Sequence, residues 1–162
     1  MTRIAEFNDL PEAEARERLA RCLDVPRWVE TVLAGRPYAD VGELMAVARE
    51  AAVLDEAELD AALSGHPRIG ERAGAGHDRA FSDAEQSAVD REDADVAARL
   101  ADGNRAYEAR FDRVFLIRAA GRGGPEILAE LERRLGNDDA AERDETVTQL
   151  REIALLRLEQ VV

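Results

Sequence analysis

The chain has 162 residues, a length that fits one domain and would bury roughly two-thirds of the surface exposed by the unfolded chain. Hydrophobic residues make up 46% and charged residues 35%, which indicates a globular protein with a packed core and argues against disorder. Acidic residues outnumber basic ones by 35 to 22, and the formal net charge of −13 disfavours nucleic acid and anionic membrane surfaces as partners.

The composition also restricts the fold and the chemistry. Alanine is abundant and aromatic residues supply only 4%, so we expect an all-α protein. The single cysteine, Cys22, cannot form an internal disulfide, and no apolar window is long enough to span a bilayer, so we expect a cytoplasmic protein. All 22 basic residues are arginine. Without a lysine amine, Schiff-base catalysis, a pyridoxal phosphate linkage and a Walker-type phosphate loop are excluded.

Apolar residues at helical spacing predict four helices in the first part of the chain. The first spans about residues 11–23, and the second begins at Pro26 and ends at Gly35. Asp40 is predicted to cap the third helix and Asp55 the fourth. Cys22, within the first helix, is expected to be inert core.

The helical pattern stops at His66, where residues 66–77 carry several glycines and a proline without any period. We predict an ordered loop of about 16 residues, a length that is uncommon inside a compact domain and is often functional. Ser82 then begins a long helix that continues through Phe111, with a bend near Gly103.

Residues 114–117, Val-Phe-Leu-Ile, are the one dense run of β-branched and aromatic residues. We expect an extended segment without a partner strand, so its backbone amides need other hydrogen-bond partners. Those amides could bond a planar ring of amide type as a neighbouring strand would, or the segment could be a short buried connection.

Two further helices complete the chain: one over residues 126–135, and a last one that begins near Asp138 or Asp139 and runs to the C-terminus. The sequence thus predicts a single domain over residues 1–162. Its architecture is an all-α bundle of about seven to eight helices with one extended segment near residues 114–120.

His66 is one of two histidines and follows a helix end directly. Pro67 would fix the backbone there and place the imidazole at the mouth of a pocket, where a pKa of about 6.5 suits acid or base catalysis. The alternative is a loop histidine that caps the preceding helix. His77 adds too few ligands for a metal site, so no metal is expected.

Ser82 and Glu85 have the spacing of a capping box, in which the glutamate bonds back to the amide of the cap residue. That structural role explains both residues without catalysis. The alternative is functional: a helix N-terminus attracts anions, so Ser82, Glu85 and Gln86 beside His66 would form a compact polar site.

Arg157 lies on the apolar face of the last helix, in a stripe with Val147, Leu150, Ala154 and Val161. A charged side chain on that face must either reach out to solvent or point inward with a partner. An inward guanidinium could bind a carboxylate through two parallel hydrogen bonds.

The order of several short motifs along the chain resembles the decarboxylases of 2-oxo-4-hydroxy-4-carboxy-5-ureidoimidazoline (OHCU), which act last on the route from uric acid to (S)-allantoin. The motifs are Trp28, Arg36-Pro37-Tyr38, His66-Pro67-Arg68-Ile69-Gly70, Ser82-x-x-Glu85-Gln86, Asn104-Arg105-Ala106-Tyr107, Arg110-Phe111, Phe115 to Arg122, Arg134-Leu135-Gly136-Asn137 and Ile153 to Leu158. Each motif is weak alone, but their joint order is specific.

The resemblance implies an all-helical lyase without cofactor or metal, often a homodimer, that acts on a small anionic ureidoimidazoline. His66 and Glu85 would be catalytic. Substrate-binding residues would be Pro67, Ser82, Gln86, Phe115, Leu116, Ile117, Ala119 and Arg157. Two positions depart from the family pattern: Asp112 stands where many members have glycine, and Gly123-Gly124-Pro125 is a looser helix entry.

Three functions are therefore consistent with the sequence. The first is an OHCU decarboxylase, in which His66, Glu85 and Arg157 face one shared cavity. The second is a non-catalytic helical ligand-binding or regulatory module with the same pocket. The third is an all-α interaction protein whose loops only resemble a site.

Overall fold

The computed structural model describes residues 2–64, 66 and 94–162, and it confirms the all-α fold class. Eight helices and no strand lie within these ranges. They are α1 (Arg3–Asp9), α2 (Glu12–Cys22), α3 (Pro26–Ala34), α4 (Val41–Ala51), α5 (Glu56–Leu63), α6 (Ala94–Phe111), α7 (Gly124–Arg134) and α8 (Asp139–Val161).

The chain divides into two compact units. The first comprises Met1–Ala62 and Arg151–Val162, and the second comprises Leu63–Leu150. Helix α8 contributes residues to both units. The prediction of one domain over residues 1–162 stays a prediction.

Helix α1 lies ahead of the helices predicted from the sequence. The Thr2 hydroxyl accepts a hydrogen bond from the backbone N–H of Ala5 at 3.2 Å, which satisfies one of the free donors in the first turn. Ile4 and Phe7 are both buried. The sequence contains the signal for this helix, a threonine cap followed by apolar residues three apart. The signal is short because the helix is only seven residues long.

Helices α2 to α5 confirm the four helices predicted in the first part of the chain. Asp40 Oδ1 accepts the backbone N–H of Glu43 at 2.8 Å, and Asp55 Oδ1 accepts that of Glu58 at 2.8 Å, so both predicted caps form. Cys22 is buried, and its thiol donates to a backbone carbonyl one turn earlier in α2. This placement agrees with the expected core role.

Within the first unit, the family motif around Tyr38 is structural. Arg36 Nη1 donates to the carbonyls of Phe7 and Leu10, each at 2.9 Å, near the C-terminal end of α1 where a positive charge is favourable. Asn8 and Tyr38 exchange two hydrogen bonds, from Asn8 Nδ2 to the Tyr38 carbonyl and from the Tyr38 N–H to Asn8 Oδ1, each at 2.8 Å. These contacts connect α1 with the chain after α3.

Gly35 ends α3 as predicted, but its backbone does not adopt the left-handed conformation, because its φ is −76°. A Cβ atom at Gly35 would come within 2.1 Å of the Tyr38 hydroxyl oxygen. The glycine is therefore required by the close approach of a tyrosine ring, which a pattern of helix stops does not reveal.

The core of the second unit is formed by apolar side chains from α6, α7 and the segment between them. Its buried members are Val96, Leu100, Tyr107, Phe111, Phe115, Ile117, Ala119, Ile127, Leu128 and Leu131. Helix α6 runs without a break through Gly103, where a Cβ would lie 2.5 Å from Leu131 Cδ2. The small residue lets α6 and α7 pack closely.

The two C-terminal helices confirm their predictions to within about two residues, the usual uncertainty of helix ends. The Asp138 carboxylate accepts the backbone N–H of Ala141 at 2.8 Å, so Asp138 caps α8. The predicted start at Ser82 and the loop at residues 66–77 lie outside the described residues, apart from His66. In the part of the chain that the structure describes, no helix is both long enough and apolar enough to cross a membrane.

Asp112, which directly follows α6, adopts the left-handed conformation with a φ of 54°. Glycine adopts this conformation at the least cost because it has no Cβ. We expect Asp112→Gly to raise the free energy of unfolding by about 0.5–1 kcal/mol, and Asp112→Ala to lower it by a similar amount. Urea denaturation measures both changes. A glycine variant less stable than the parent chain would contradict this explanation.

Candidate functional site

The segment at residues 114–119 is neither helix nor strand, as predicted. Phe115, Leu116 and Ile117 are buried, with exposures of 1%, 4% and 2%. Within the described ranges, no hydrogen bond uses the backbone N–H of any of these three residues. Buried amides normally have a partner, so this segment presents donors that a ligand could use.

Two side chains bond the backbone of this segment from the neighbouring helices. Arg134 Nη1, at the end of α7, donates to the carbonyl of Leu116 at 2.7 Å. Gln149, in α8, accepts the backbone N–H of Arg118 through its Oε1 atom at 2.9 Å. The segment is therefore fixed on both sides of Ile117.

Arg134 forms a buried ion pair with Glu142, and their side chains are 2% and 0% exposed. Arg134 Nε donates to Glu142 Oε1 at 2.8 Å, and the Tyr107 hydroxyl donates to the same oxygen at 2.5 Å. Asn137 Nδ2 donates to the second carboxylate oxygen at 3.0 Å. The guanidinium carbon lies 4.5 Å from the centroid of the Phe115 ring.

Thr146 completes this set of polar side chains, which we call the Arg134 cluster (Tyr107, Arg134, Asn137, Glu142 and Thr146). Its hydroxyl accepts from Arg134 Nη2 at 3.3 Å and donates to the Glu142 carbonyl at 2.8 Å. Glu142 also lies in the first turn of α8, where the helix dipole stabilises a negative charge. The pair is thus compensated by hydrogen bonds as well as by charge.

Tyr107 is the titratable residue of the cluster with a marked shift. Burial, and then the hydrogen bond to the Glu142 carboxylate, raise the pKa of Tyr107 to about 12. The phenol therefore stays protonated and remains a donor to Glu142 over the whole physiological range.

Sequence reasoning missed the Arg134–Glu142 pair. The signal was present, because Arg134 continues the buried stripe of α7 at three residues after Leu131 and seven after Ile127. The same reasoning that singled out Arg157 would have singled out Arg134. Its partner could not be inferred, because pairing between two helices depends on how they pack.

Arg157 is 1% exposed, so the interpretation in which its side chain reaches out to solvent is wrong, and the side chain points inward. Its role in binding a substrate stays a prediction. Arg157 belongs to the first unit. Leu150 and Ala154 of the predicted stripe are buried, whereas Val147 and Val161 are only half-buried. The stripe was therefore partly misplaced, although the inward position of the arginine on it was correct.

His66 is half-buried just beyond α5, and its backbone N–H donates to the Leu63 carbonyl at 3.0 Å. That bond caps the helix through the backbone, without requiring the imidazole. Pro67, Ser82, Glu85 and Gln86 lie outside the described residues, so their roles and the shared cavity stay predictions. Among the residues that the structure describes, no group of three His, Cys, Asp or Glu side chains could hold a metal ion.

Comparison with known proteins decides the family. The family model described as OHCU decarboxylase matches residues 8–159. The chain belongs to the OHCU decarboxylase family. A 2-oxo-4-hydroxy-4-carboxy-5-ureidoimidazoline decarboxylase from Amia calva is 32% identical over 164 residues, covering 98% of this chain and 94% of the relative.

Two solved structures share the fold of this chain. A crystal structure of OHCU decarboxylase in the presence of (S)-allantoin matches with a TM-score of 0.75 at 22% identity, covering 90% of this chain and 96% of that one. A crystal structure of (S)-allantoin synthase matches with a TM-score of 0.72 at 17% identity, covering 98% of this chain and 54% of that one. At these identities the likeness concerns the fold.

The raised pKa of Tyr107 can be measured directly, because the chain has two tyrosines and no lysine. In a Tyr38→Phe variant, the ultraviolet absorbance of tyrosinate reports on Tyr107 alone. We expect its ionisation midpoint at about 12, against about 10 for an exposed tyrosine. Circular dichroism at each pH verifies that the protein is still folded, and a midpoint near that of exposed tyrosine in folded protein would contradict the assignment.

The same shift affects stability at alkaline pH. The folded state retains the Tyr107 proton above the pH at which the unfolded chain loses it, so the stabilisation is complete below about pH 10 and decreases towards pH 12. The stability advantage of the parent chain over Tyr107→Phe should therefore shrink across this window. Parallel stability curves would show that the hydroxyl is not buried against a carboxylate.

Proposed function

We propose that this chain is a carboxy-lyase that converts OHCU to (S)-allantoin and CO₂, the last step of the route from urate to allantoin. The observation that carries the proposal is the similarity to the Amia calva decarboxylase of OHCU, which is 32% identical over 98% of this chain. The family match over residues 8–159 and the all-α fold support it.

The chemistry of the reaction agrees with the residues that the chain offers. The bond between the ring carbon and the carboxylate breaks, CO₂ leaves, and the electron pair moves into the adjacent imine and carbonyl system of the ring. The ring carbon that becomes the stereocentre of (S)-allantoin then takes up a proton. The substrate thus supplies its own electron sink, and a chain without lysine needs neither pyridoxal phosphate nor thiamine for this step.

In this proposal His66 and Glu85 orient the substrate and take part in proton transfer, which limits the reaction to one face of the ring. General acid or base assistance of this kind accelerates a reaction by about 10²–10⁴. Pro67 is proposed to fix the backbone beside the imidazole, and Ser82 and Gln86 to add polar contacts at the start of the helix that the sequence predicts there.

The extended segment would bind the planar ring through its backbone. Phe115, Leu116 and Ile117 are buried and have N–H groups that make no hydrogen bond within the described ranges, and Ala119 is buried beside them. The ring and ureido carbonyls of OHCU are acceptors of the kind that a neighbouring strand would offer. Satisfying buried donors by the substrate favours binding, because their desolvation has already occurred in folding.

An anionic substrate must also be attracted by a protein whose net charge is −13. The charge of Arg134 is compensated by Glu142, so it does not serve this purpose. Arg157 is the proposed cation, since it is buried on the apolar face of α8 and its guanidinium fits a carboxylate in two-point geometry. Screening over about 8 Å at physiological salt reduces the repulsion by distant surface carboxylates.

The remaining expectations belong to the same proposal. The partner is a small molecule, the enzyme works without a bound cofactor, and members of the family are often homodimers. A cytoplasmic location is supported by the single cysteine, since a reducing compartment does not favour disulfides. Light scattering of the purified chain would determine its oligomeric state.

His66→Ala and Glu85→Ala should each leave a folded protein in which decarboxylation falls by about 10²–10⁴. The assay generates OHCU from urate with the preceding enzymes and follows the circular dichroism of (S)-allantoin as it forms. Near-normal turnover in either variant would refute its catalytic role.

Glu85→Gln separates chemistry from helix capping, and Glu43→Gln is its matched control. Glu43 accepts the backbone N–H of Ala39 through Oε2 at 2.6 Å, three residues after the cap residue Asp40. As a pure cap, Glu43→Gln should lower stability by about 1 kcal/mol or less and leave activity intact. Glu85→Gln should abolish most activity, and equal behaviour of the two variants would identify Glu85 as a cap only.

The same assay distinguishes the other two functions. Faster appearance of one enantiomer of allantoin supports the enzyme. A rise in the melting temperature with substrate but without turnover would support a ligand-binding module, and neither effect would support an interaction protein.

Arg157→Lys tests the proposed anchor for the substrate. Lysine retains the charge but loses the planar two-point geometry, so we expect KM to rise about tenfold with a smaller change in kcat. Arg151→Lys is the control on the same helix, since Arg151 is half-buried and its Nη2 donates to the Ala52 carbonyl at 3.3 Å. An unchanged KM in folded Arg157→Lys protein would remove Arg157 from the site.

A further inference from the structure

We propose that Arg134 is a positioning residue for the substrate, which acts through the backbone of Leu116 and Ile117. The inference rests on the proposed function, because it assigns to Arg134 the orientation of the N–H groups that are proposed to bind OHCU. Neither the sequence pattern nor the family resemblance assigned Arg134 a role of its own.

The geometry of one peptide bond determines where the N–H of Ile117 points. The carbonyl of Leu116 and the N–H of Ile117 belong to the same planar peptide unit, and in a trans peptide they point in opposite directions. Arg134 Nη1 binds that carbonyl at 2.7 Å. The N–H of Ile117 is thereby directed away from Arg134.

Gln149 fixes the next peptide unit in the same way. Its Oε1 atom accepts the N–H of Arg118 at 2.9 Å, so the carbonyl of Ile117, in the same peptide plane, points away from Gln149. Within the described ranges, the N–H and the carbonyl of Ile117 make no hydrogen bond of their own. The two helix side chains thus orient a free donor and a free acceptor on a buried residue.

The contacts at position 134 require an arginine. The guanidinium uses Nε and Nη2 on Glu142 and Nη1 on Leu116, which a planar group with donors on three nitrogens can do at once. Its carbon also lies 4.5 Å from the centroid of the Phe115 ring. Arg134 thus contacts both the side chain and the backbone of the segment.

The Arg134 side chain is held rigidly by its neighbours. Arg134 is itself fixed, because Glu142, Thr146 and the Phe115 ring surround its guanidinium and leave it 2% exposed. A donor oriented by such a fixed group need not be ordered by the ligand, which lowers the entropic cost of binding. Loss of the Leu116 contact should therefore affect substrate binding more than turnover.

The experiment compares two pairs of substitutions in the full chain. In Arg134→Met/Glu142→Met, both charges are replaced by apolar side chains of similar length, so that no buried charge is left without its partner. The matched control is Arg133→Met/Glu145→Met, on the same two helices. That pair is joined at 2.6 Å, but its side chains are 50% and 33% exposed, and neither has a hydrogen bond to residues 114–119.

Amide hydrogen exchange of the free protein is the first readout, measured by mass spectrometry on peptides that cover residues 114–119. We expect exchange there to become about tenfold faster in Arg134→Met/Glu142→Met and to stay unchanged in the control pair. KM for OHCU should rise about tenfold in the first variant, with kcat changed by less than about threefold.

Arg134→Lys is the second variant, in case the apolar pair does not fold. The ammonium keeps the charge opposite Glu142 but lacks the planar fork, so it cannot bond Leu116 and Glu142 in the same way. Faster exchange with a raised KM in this variant supports the proposal as well. A purely structural role for Arg134 would lower the melting temperature without this split between KM and kcat.

The outcomes separate this inference from the proposed function. If the parent chain fails to decarboxylate OHCU, the proposed function is wrong, and with it the role in substrate binding, while exchange still shows whether Arg134 orders the segment. If exchange at residues 114–119 matches the parent chain in both Arg134 variants, the positioning role is overturned. Faster exchange without any change in KM overturns it too.

Discussion

The second unit depends on the buried ion pair between Arg134 and Glu142. Moving two charges out of water is costly, and their attraction repays that cost only when the remaining donors and acceptors are satisfied. Here Tyr107 and Asn137 donate hydrogen bonds to the Glu142 carboxylate, and the Arg134 guanidinium donates a further hydrogen bond to the Leu116 carbonyl. Loss of one partner from such a pair typically destabilises a protein by about 3–5 kcal/mol. The pair also joins α7 to α8, and through Arg134 it contacts the segment at residues 114–119.

The local features of the fold could be predicted because their causes are local. Asp40 and Asp55 cap helices through bonds to residues three positions away, so the sequence spacing contains the whole interaction. Gly35 was correctly predicted to end a helix, but a glycine is needed there because the ring of a tyrosine three residues later packs against it. The sequence predicted the position of the helix end but not its cause, because the cause is a packing contact.

The candidate site was less accessible to sequence reasoning. The absence of a helix at residues 114–119 followed from their β-branched and aromatic composition, and the buried position of Arg157 was one of two interpretations that its place on the apolar face allowed. The bonds from Arg134 and Gln149 to this segment join residues 18 and 31 positions apart. Such pairs are determined by how the helices pack, and the spacing of apolar residues along one helix does not predict that packing. The roles of His66 and Glu85 came from the family resemblance, since the residues alone left capping as an alternative.

The proposed function requires a protein with a net charge of −13 to perform two tasks. Attraction of the substrate requires a cation, and an arginine is suited because it stays charged at every relevant pH. Orientation can be left to neutral backbone N–H groups, which Arg134 directs without contributing net charge, since Glu142 compensates it. In the proposed reaction the negative charge leaves the carboxylate and spreads into the ring as CO₂ departs. The N–H groups of residues 115–117 would contact the ring and ureido carbonyls before as well as during that step, so they contribute to binding and orientation more than to lowering the barrier. A cation directed at the carboxylate would likewise stabilise the bound substrate more than the transition state, so in this proposal the acceleration itself comes from the proton transfer assigned to His66 and Glu85.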